Sequence, residues 1–304
     1  MAMSSAQYRG RFAPTPSGPL HFGSLVAAVG SYLHARAHSG EWHLRIDDLD
    51  APRVARRAID AILRTLEALG FEWDGPVLFQ SRRIAAYHAA LHGLRRAGAI
   101  YPCGCSRSEI DTIAARGSEG SIYPGTCRNG MAPDRRALTW RMRLERAPIE
   151  LDDQLLGPQR IDLARDAGDF ALYRADGIYS FHLASSIDDA ELAMTDIVRG
   201  VDLLESSARQ IYVMRVLGWA PPRYAHLPIA VDAAGTKLSK QTGADAVSEA
   251  QPVSTLCAVL RFLNQETPAG LQHASLEQFW AHAIANWNLA RVGTRRQAPA
   301  PGRP

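Results

Sequence analysis

Residues 8–37 constrain the fold more than any other stretch. They open with "YRGRFA", which reads as a buried strand, pass through "PTPSGPLH", and continue without proline as "FGSLVAAVGSYLHARA". The spacing predicts a strand over 8–13 and a helix over 20–37, with Gly40 as the stop signal. A strand feeding a tight loop and a helix is the entry unit of a wound α/β sheet. The same unit leaves free backbone N–H groups and the positive end of a helix dipole beyond the loop, where they favour phosphate. A lone histidine, His21, stands at the mouth of that helix.

The unit repeats. "WHLRIDDLD" alternates apolar and polar through Ile46 and predicts a strand over 42–50 that ends in acids. Residues 53–69 put Ala55, Ile59, Ile62, Leu63 and Leu66 on one helix face closed by Gly70, and 87–97 form a further helix closed by Gly98. From Tyr101 to about Arg165 the rhythm stops in a stretch rich in Gly, Pro, Arg and Cys, which reads as an insertion with its own small core. It resumes with "DFALYR", "SFHLASSIDD" and "MTDIVRGVDLL", then a helix over 206–217 ended by Pro221 and Pro222. "HLPIAVDAAGTKLSKQ" predicts a strand, a glycine turn and a lysine loop; 253–263 and 276–289 predict amphipathic helices. The tail "RVGTRRQAPAPGRP" is expected to be disordered, and no internal repeat is present.

Composition narrows the setting. With 46% hydrophobic and 21% charged residues the chain reads as a globular protein, and its 304 residues suffice for a sizeable core. "MAMSSAQYRGRF" lacks the apolar core of a signal peptide and no apolar run approaches ~18 residues, so a cytoplasmic location without a membrane partner is expected. Four cysteines are too few for a disulfide framework. A net charge of +3 permits a nucleic-acid partner only if basic residues cluster; Arg135, Arg136, Arg141, Arg143 and Arg146 offer such a stripe. Of 34 basic residues, 32 are arginine; the two lysines, Lys237 and Lys240, both lie in "GTKLSKQTG". A site that needs a compact point charge beside phosphate resists replacement of lysine by arginine's planar fork.

The phosphate loop itself is of no common kind. G-x-G-x-x-G is absent, and the P-loop spacing of Gly18 to Gly23 and Ser24 lacks its lysine. The imidazole of His21 can take the missing donor's place, and Gly23 permits close approach to the backbone.

"HFGS" and "KLSKQ" together resemble the HIGH and KMSKS signatures of class I aminoacyl-tRNA synthetases. "RFAPTPSGPLHFGSL", "LRIDDLD" and "VRGVDLLESSARQ" resemble their glutamyl-tRNA synthetase branch, over roughly residues 9–241. The resemblance implies an α/β, Rossmann-type catalytic domain over 1–98 and 166–222, a zinc-bearing insertion over 99–165, and a lysine-loop and helical C-terminal region over 223–304. It implies that His21, Gly23, Ser24, Lys237 and Lys240 handle ATP, with Mg²⁺. Ser24 stands where the signature has its second histidine. Glutamate is expected in a pocket of Arg11, Phe12, Ala13, Pro14, Thr15, Asp47, Phe181 and Arg199, the two arginines placed for carboxylate. Two positions depart from the family pattern: Asp47 replaces the usual glutamate and Phe181 the usual tyrosine.

Cys103, Cys105 and Cys127 supply three thiolates for a tetrahedral zinc. Ordinary ligand preference offers Asp111 or Glu119 as the fourth; the resemblance points to Tyr123, through a C-x-C…Y-x₃-C set. Cys257 lies on an apolar helix face with Val253, Leu256 and Leu260 and is not expected to take part.

Only 63 residues follow Gln241, too few for a large anticodon-binding region. The chain thereby resembles shortened paralogues of the family, which use ATP and L-glutamate to modify the queuosine base in the anticodon of tRNA(Asp), and it is expected to act as a monomer. Three other readings stay open: a truncated enzyme charging a tRNA 3′ end, a nucleotidyltransferase with a similar phosphate site, and a zinc RNA-binding module without catalysis.

Overall fold

A computed structural model gives the structure, describing residues 7–50, 54, 56–117, 120–232, 234–238 and 246–301. The chain begins with β1 (Arg9–Phe12), α1 (Phe22–Ala37), β2 (Glu41–Ile46), α2 (Arg56–Ala68), β3 (Leu78–Phe79) and α3 (Ile84–Arg96). β1, β2 and β3 pair in parallel, with Arg11 opposite His43 and Arg45 opposite Leu78. β2 stops at Ile46, earlier than its pattern indicates. Asp47 N–H donates to the Pro14 carbonyl at 3.1 Å and so leaves the ladder, placing the acids in a loop. Gly70, at φ 74°, closes α2 where a Cβ would meet Trp280 Nε1 at 2.9 Å.

The middle of the chain holds β4 (Ile100–Cys103), α4 (Arg107–Ile113), β5 (Arg116–Gly117), β6 (Gly120–Ser121), β7 (Thr139–Met142), β8 (Ile149–Asp153), β9 (Gly157–Ile161), α5 (Leu163–Asp166) and β10 (Ala171–Tyr173). β10, β7 and β4 form an antiparallel sheet, and β5 and β6 a two-stranded ribbon. Then come α6 (Phe181–Glu191), capped by Ser180, β11 (Asp196–Gly200), α7 (Leu204–Val216), β12 (Arg223–Leu227) and β13 (Ile229–Val231). β11 and β12 are parallel with Arg199 opposite His226, β12 adjoins β8, and β8 pairs antiparallel with β9.

β11 lies beside β1, since Thr195 N–H donates to the Arg9 carbonyl at 2.9 Å and Thr195 Oγ1 accepts from Arg9 N–H at 2.9 Å. From β1 the chain therefore winds one way to β2 and later the other way to β11. The crevice beyond the carboxyl ends of such a pair is where open α/β sheets bind ligands.

α8 (Pro252–Phe262), α9 (Leu276–Ala285), α10 (Leu289–Val292) and β14 (Gln297–Pro299) complete the chain. α1 packs against β1, β2 and β11 and is covered by α8 and α9. In that core Trp42 stacks on Phe71 and Tyr32 meets Trp42 and Trp280 edge-to-face, and Cys257 is fully buried. A second core joins α3, α6 and α7; a third, small one holds Tyr101, Cys103, Cys105, Ile110, Tyr123 and Cys127.

Two expectations need correction. The helix read over 276–289 is broken at Asn286, and Asn288 caps the next turn by accepting from Ala290 N–H at 2.9 Å. The tail read as disordered is ordered over 297–299, where β14 pairs in parallel with β13. β13 needs partners for its open edge, Ala298 is buried there, and an edge strand tolerates Pro299. No helix among the described residues is long and apolar enough to cross a membrane.

Candidate active site

The carboxyl ends of β1 and β11 and the start of α1 enclose a cavity of about 550 Å³. Arg11, Phe12, Ala13, Pro14 and Thr15 line it from β1 and the loop, His21, Gly23 and Ser24 from α1, Asp47 from beyond β2, Phe181 from the first position of α6, and Arg199 from β11. Lys237 of the lysine loop lines it too. Lys240 lies outside the described residues.

At the α1 end, His21 Nδ1 accepts from Ser24 N–H at 3.3 Å and caps the helix. A neutral imidazole that accepts at Nδ1 carries its proton on Nε2, which makes that nitrogen the donor. A Cβ at Gly23 would come within 3.2 Å of His21 Cε1, so any side chain there presses on the ring. The lysine loop folds back on this helix start: Leu238 N–H donates to the Ala230 carbonyl at 2.9 Å, and the Leu238 carbonyl lies 3.7 Å from that same Cβ position. Lys237 Nζ meets Asp202 Oδ2 at 2.5 Å.

The inner end is a buried charge network that local sequence does not reveal. Arg11 donates through Nε and Nη2 to the two oxygens of Asp189 at 3.1 and 3.0 Å. Arg45 donates to Asp47 at 2.6 and 3.3 Å, to Asp189 Oδ1 at 2.7 Å and to Ser185 Oγ at 3.1 Å. Asp188 accepts from Gln80, Arg83 and Tyr87. Burial pushes the Asp189 carboxyl up, but Arg11 and Arg45 outweigh it and hold it below the ordinary range. Burial raises Asp47, against the pull of Arg45. Arg45, which the reading of the sequence missed, had one signal: in "LRI" it is a charge between two core residues at the end of a strand buried on both faces.

Arg199 differs from these. Its Nη2 donates to Ser207 Oγ at 2.6 Å and Gln210 Oε1 at 2.7 Å, while Nε and Nη1 are buried with no hydrogen-bond partner among the described residues. Burial lowers this guanidinium to about 10. His182, after Phe181, rests its ring on Phe170 and Phe181, and burial, with Arg209 and Arg199 nearby, lowers it to about 3.

Three thiols and a phenol converge in the third core. The Sγ atoms of Cys103, Cys105 and Cys127 lie within 4.8 Å of one another. Tyr123 Oη is 3.3 Å from Cys103 Sγ and 3.9 Å from Cys105 Sγ, and Cys105 and Cys127 are 3.6 Å apart. A tetrahedral zinc with ordinary bond lengths spaces its ligand atoms about 3.5–3.8 Å apart, so these four atoms fit. Asp111 is engaged by Ser121 instead, and Glu119 lies outside the described residues.

The basic stripe is not one exposed face. Arg141 stacks its guanidinium 3.8 Å from the centre of the Tyr123 ring, and Arg143 lies 5.0 Å from that of Tyr101; Arg135 pairs with Glu109. Arg141 instead lines a second cavity of about 1020 Å³, with Arg107, Arg116, Arg174, Arg209 and His182, and Phe181 borders both cavities.

The family model for the catalytic domain of class I tRNA synthetases (E and Q) matches residues 7–254. A glutamyl-Q tRNA(Asp) synthetase of Aromatoleum aromaticum is 51% identical over 295 residues, covering 97% of this chain and 93% of the relative. One of Chromobacterium violaceum is 52% identical over 290 residues, covering 95% and 97%. Among solved structures, a glutamate-tRNA synthetase from Elizabethkingia anophelis has a TM-score of 0.78 at 24% identity, covering 97% of this chain and 68% of that one, which shows a shared fold.

Proposed function

The chain belongs to the class I tRNA synthetases for glutamate and glutamine, among the glutamyl-Q tRNA(Asp) synthetases, and from that premise we propose that it activates L-glutamate with ATP and transfers it to the queuosine base in the anticodon of tRNA(Asp). The observation that carries the glutamate half is Arg199: a buried guanidinium with two unpartnered nitrogens in a cavity that also holds a helix start and a lysine. A carboxylate compensates the charge of this guanidinium, and a neutral amide leaves it buried and uncompensated.

In the first step the substrate carboxylate attacks the α-phosphate in line, forming glutamyl-adenylate and releasing pyrophosphate. His21 Nε2–H, the first turn of α1 and the lysines of the loop meet the negative charge that grows on the phosphates. Mg²⁺ bound with ATP supplies further positive charge there. The protein's main work is positioning. In the second step a hydroxyl of the queuosine base takes the glutamyl group and the adenylate leaves as AMP. The second cavity, with its five arginines and its border at Phe181, supports approach of an RNA loop from that side.

Zinc held by Cys103, Cys105, Cys127 and Tyr123 is assigned a structural part, since four protein ligands leave no open position. It braces the segment that carries Arg107, Arg116 and Arg141 beside the second cavity.

The test is radiolabelled glutamate with tRNA(Asp). Label is expected on queuosine-bearing tRNA whose 3′ terminal adenosine has been removed, and none on tRNA from cells that cannot make queuosine. The opposite pattern converts the reading into an enzyme that charges the 3′ end.

A further inference from the structure

Three arginines line the inner end of the first cavity, and a carboxylate meets two of them: Asp189 meets Arg11, and Asp47 and Asp189 meet Arg45. Arg199 is held otherwise. Its partners are the neutral oxygens of Ser207, Gln210 and the Leu203 carbonyl, at 2.6, 2.7 and 3.4 Å.

Behind Ser207 runs a chain of buried polar groups. Ser207 Oγ lies 2.7 Å from His226 Nε2, and His226 Nδ1 lies 2.6 Å from Asp153 Oδ2. Asp153 Oδ1 also accepts backbone N–H from Leu155 at 3.0 Å and Leu156 at 2.8 Å, which fixes the carboxylate in place. An ionised carboxylate only accepts, so the proton of neutral His226 sits on Nδ1. Nε2 then accepts the Ser207 hydroxyl, and Ser207 accepts from Arg199. Along this chain each donor points from the guanidinium towards Asp153, with the Leu203 carbonyl, 3.1 Å from Ser207 Oγ, as a second acceptor beside the same hydroxyl.

An Asp–His–Ser chain has the order of a nucleophile relay, but Ser207 is completely buried and its oxygen is taken up by Arg199. It reaches no substrate. What the chain does is orient a cation without placing an anion against it.

We propose that Ser207, His226 and Asp153 are positioning residues that hold Arg199 at the cavity wall with no carboxylate of the protein against it, so that its charge is left for the substrate's side-chain carboxylate, and that they thereby set the preference for glutamate over glutamine. The proposal rests on the reading of this cavity as the glutamate site. A carboxylate in the position of Ser207 would neutralise Arg199 and weaken its demand for a charged substrate. A neutral acceptor braced by a distant carboxylate keeps that demand.

The experiment is ATP–pyrophosphate exchange by the full chain, with L-glutamate and L-glutamine as substrates, for wild type, Ser207→Ala, Ser207→Thr and His226→Phe. Ser207→Ala and His226→Phe are expected to raise KM for glutamate roughly tenfold or more, and to lower the glutamate-to-glutamine ratio of kcat/KM, with KM for ATP little changed. Ser207→Thr, which keeps the hydroxyl, is expected to restore both values. Unchanged glutamate KM and selectivity in Ser207→Ala, or a parallel rise of both KM values with selectivity intact, overturns the relay while leaving the glutamate site standing. Absence of glutamate-dependent exchange in the wild type overturns the reading of the cavity, and the relay with it.

Discussion

Arg11 and Asp189 grip each other through two parallel hydrogen bonds, Nε to Oδ1 at 3.1 Å and Nη2 to Oδ2 at 3.0 Å, although 178 residues separate them in the chain. Arg45 Nη1 reaches the same Oδ1 at 2.7 Å, so one carboxylate ties β1, β2 and α6 together beneath the cavity. Arg11 thus faces the cavity as one member of a compensated network, in contrast to Arg199.

Replacing Asp189 by Asn keeps the shape but leaves two buried guanidinium groups without their shared charge. A loss of about 3–5 kcal/mol in unfolding free energy is expected, read from the urea midpoint. Asp166→Asn breaks a pair whose Arg165 partner is exposed to solvent, and is expected to leave the urea midpoint almost unmoved. Equal effects at the two sites would show that the network contributes little.

The two lysines are expected to serve the activation step. Lys240→Arg should lower the rate of glutamyl-adenylate formation by about tenfold or more, with a much smaller effect on KM for glutamate, because a contact to phosphate strengthens as charge develops. Single-turnover pyrophosphate release measures this directly. Near-normal rates in Lys240→Arg would remove the argument from the spared lysines.

Purified chain is expected to carry about one zinc, by the ligand count of a closed tetrahedral site. Cys103→Ser and Cys127→Ser should lose it on dialysis. Cys257→Ser should keep it, since Cys257 belongs to the core around α1. Tyr123→Phe should weaken retention against a chelator, and unaltered retention would take the phenol out of the ligand set.

Stability should fall as pH drops from about 6.5 towards 4. Burial lowers His34 to about 4, and Trp287 Nε1–H donates to its Nδ1 at 3.1 Å, which requires that nitrogen unprotonated; burial lowers His182 to about 3. Histidine in the unfolded chain takes up its proton near ~6.5, so between these values the unfolded state binds more protons and gains at the expense of the fold. Above about pH 7 the contribution of these residues is flat. Urea midpoints at pH 7.5 and 5.0 test the sign, and His34→Gln should reduce the difference; identical midpoints would refute it.

By itself the sequence determined what is local. The strand, stiff loop and helix of β1 and α1 follow from backbone preference and apolar spacing, and so do the glycine stops at Gly70 and Gly98. His21, the two lysines and the three thiols stood out by residue type at short spacing, and the motif resemblance supplied Arg11, Asp47, Phe181 and Arg199. Tertiary structure alone decided which of these share a cavity and what state each is in. Arg11 and Arg199 look alike in the sequence, yet the fold gives one a carboxylate and the other neutral oxygens and the face of Tyr224. Arg141 reads as part of a solvated stripe until β7 sets it against Tyr123, and the Pro-rich tail reads as disordered until the open edge of β13 supplies its partner. Asp153, Asp189, Ser207 and His226 carry no local signal, because a charged or polar side chain has the same neighbours in sequence whether it ends in water or in the core. Its protonation, its partners and its role are set by burial and by groups on other elements, from 8 residues away for Ser207 and Arg199 to 178 for Asp189 and Arg11, and those contacts exist only once the chain has folded.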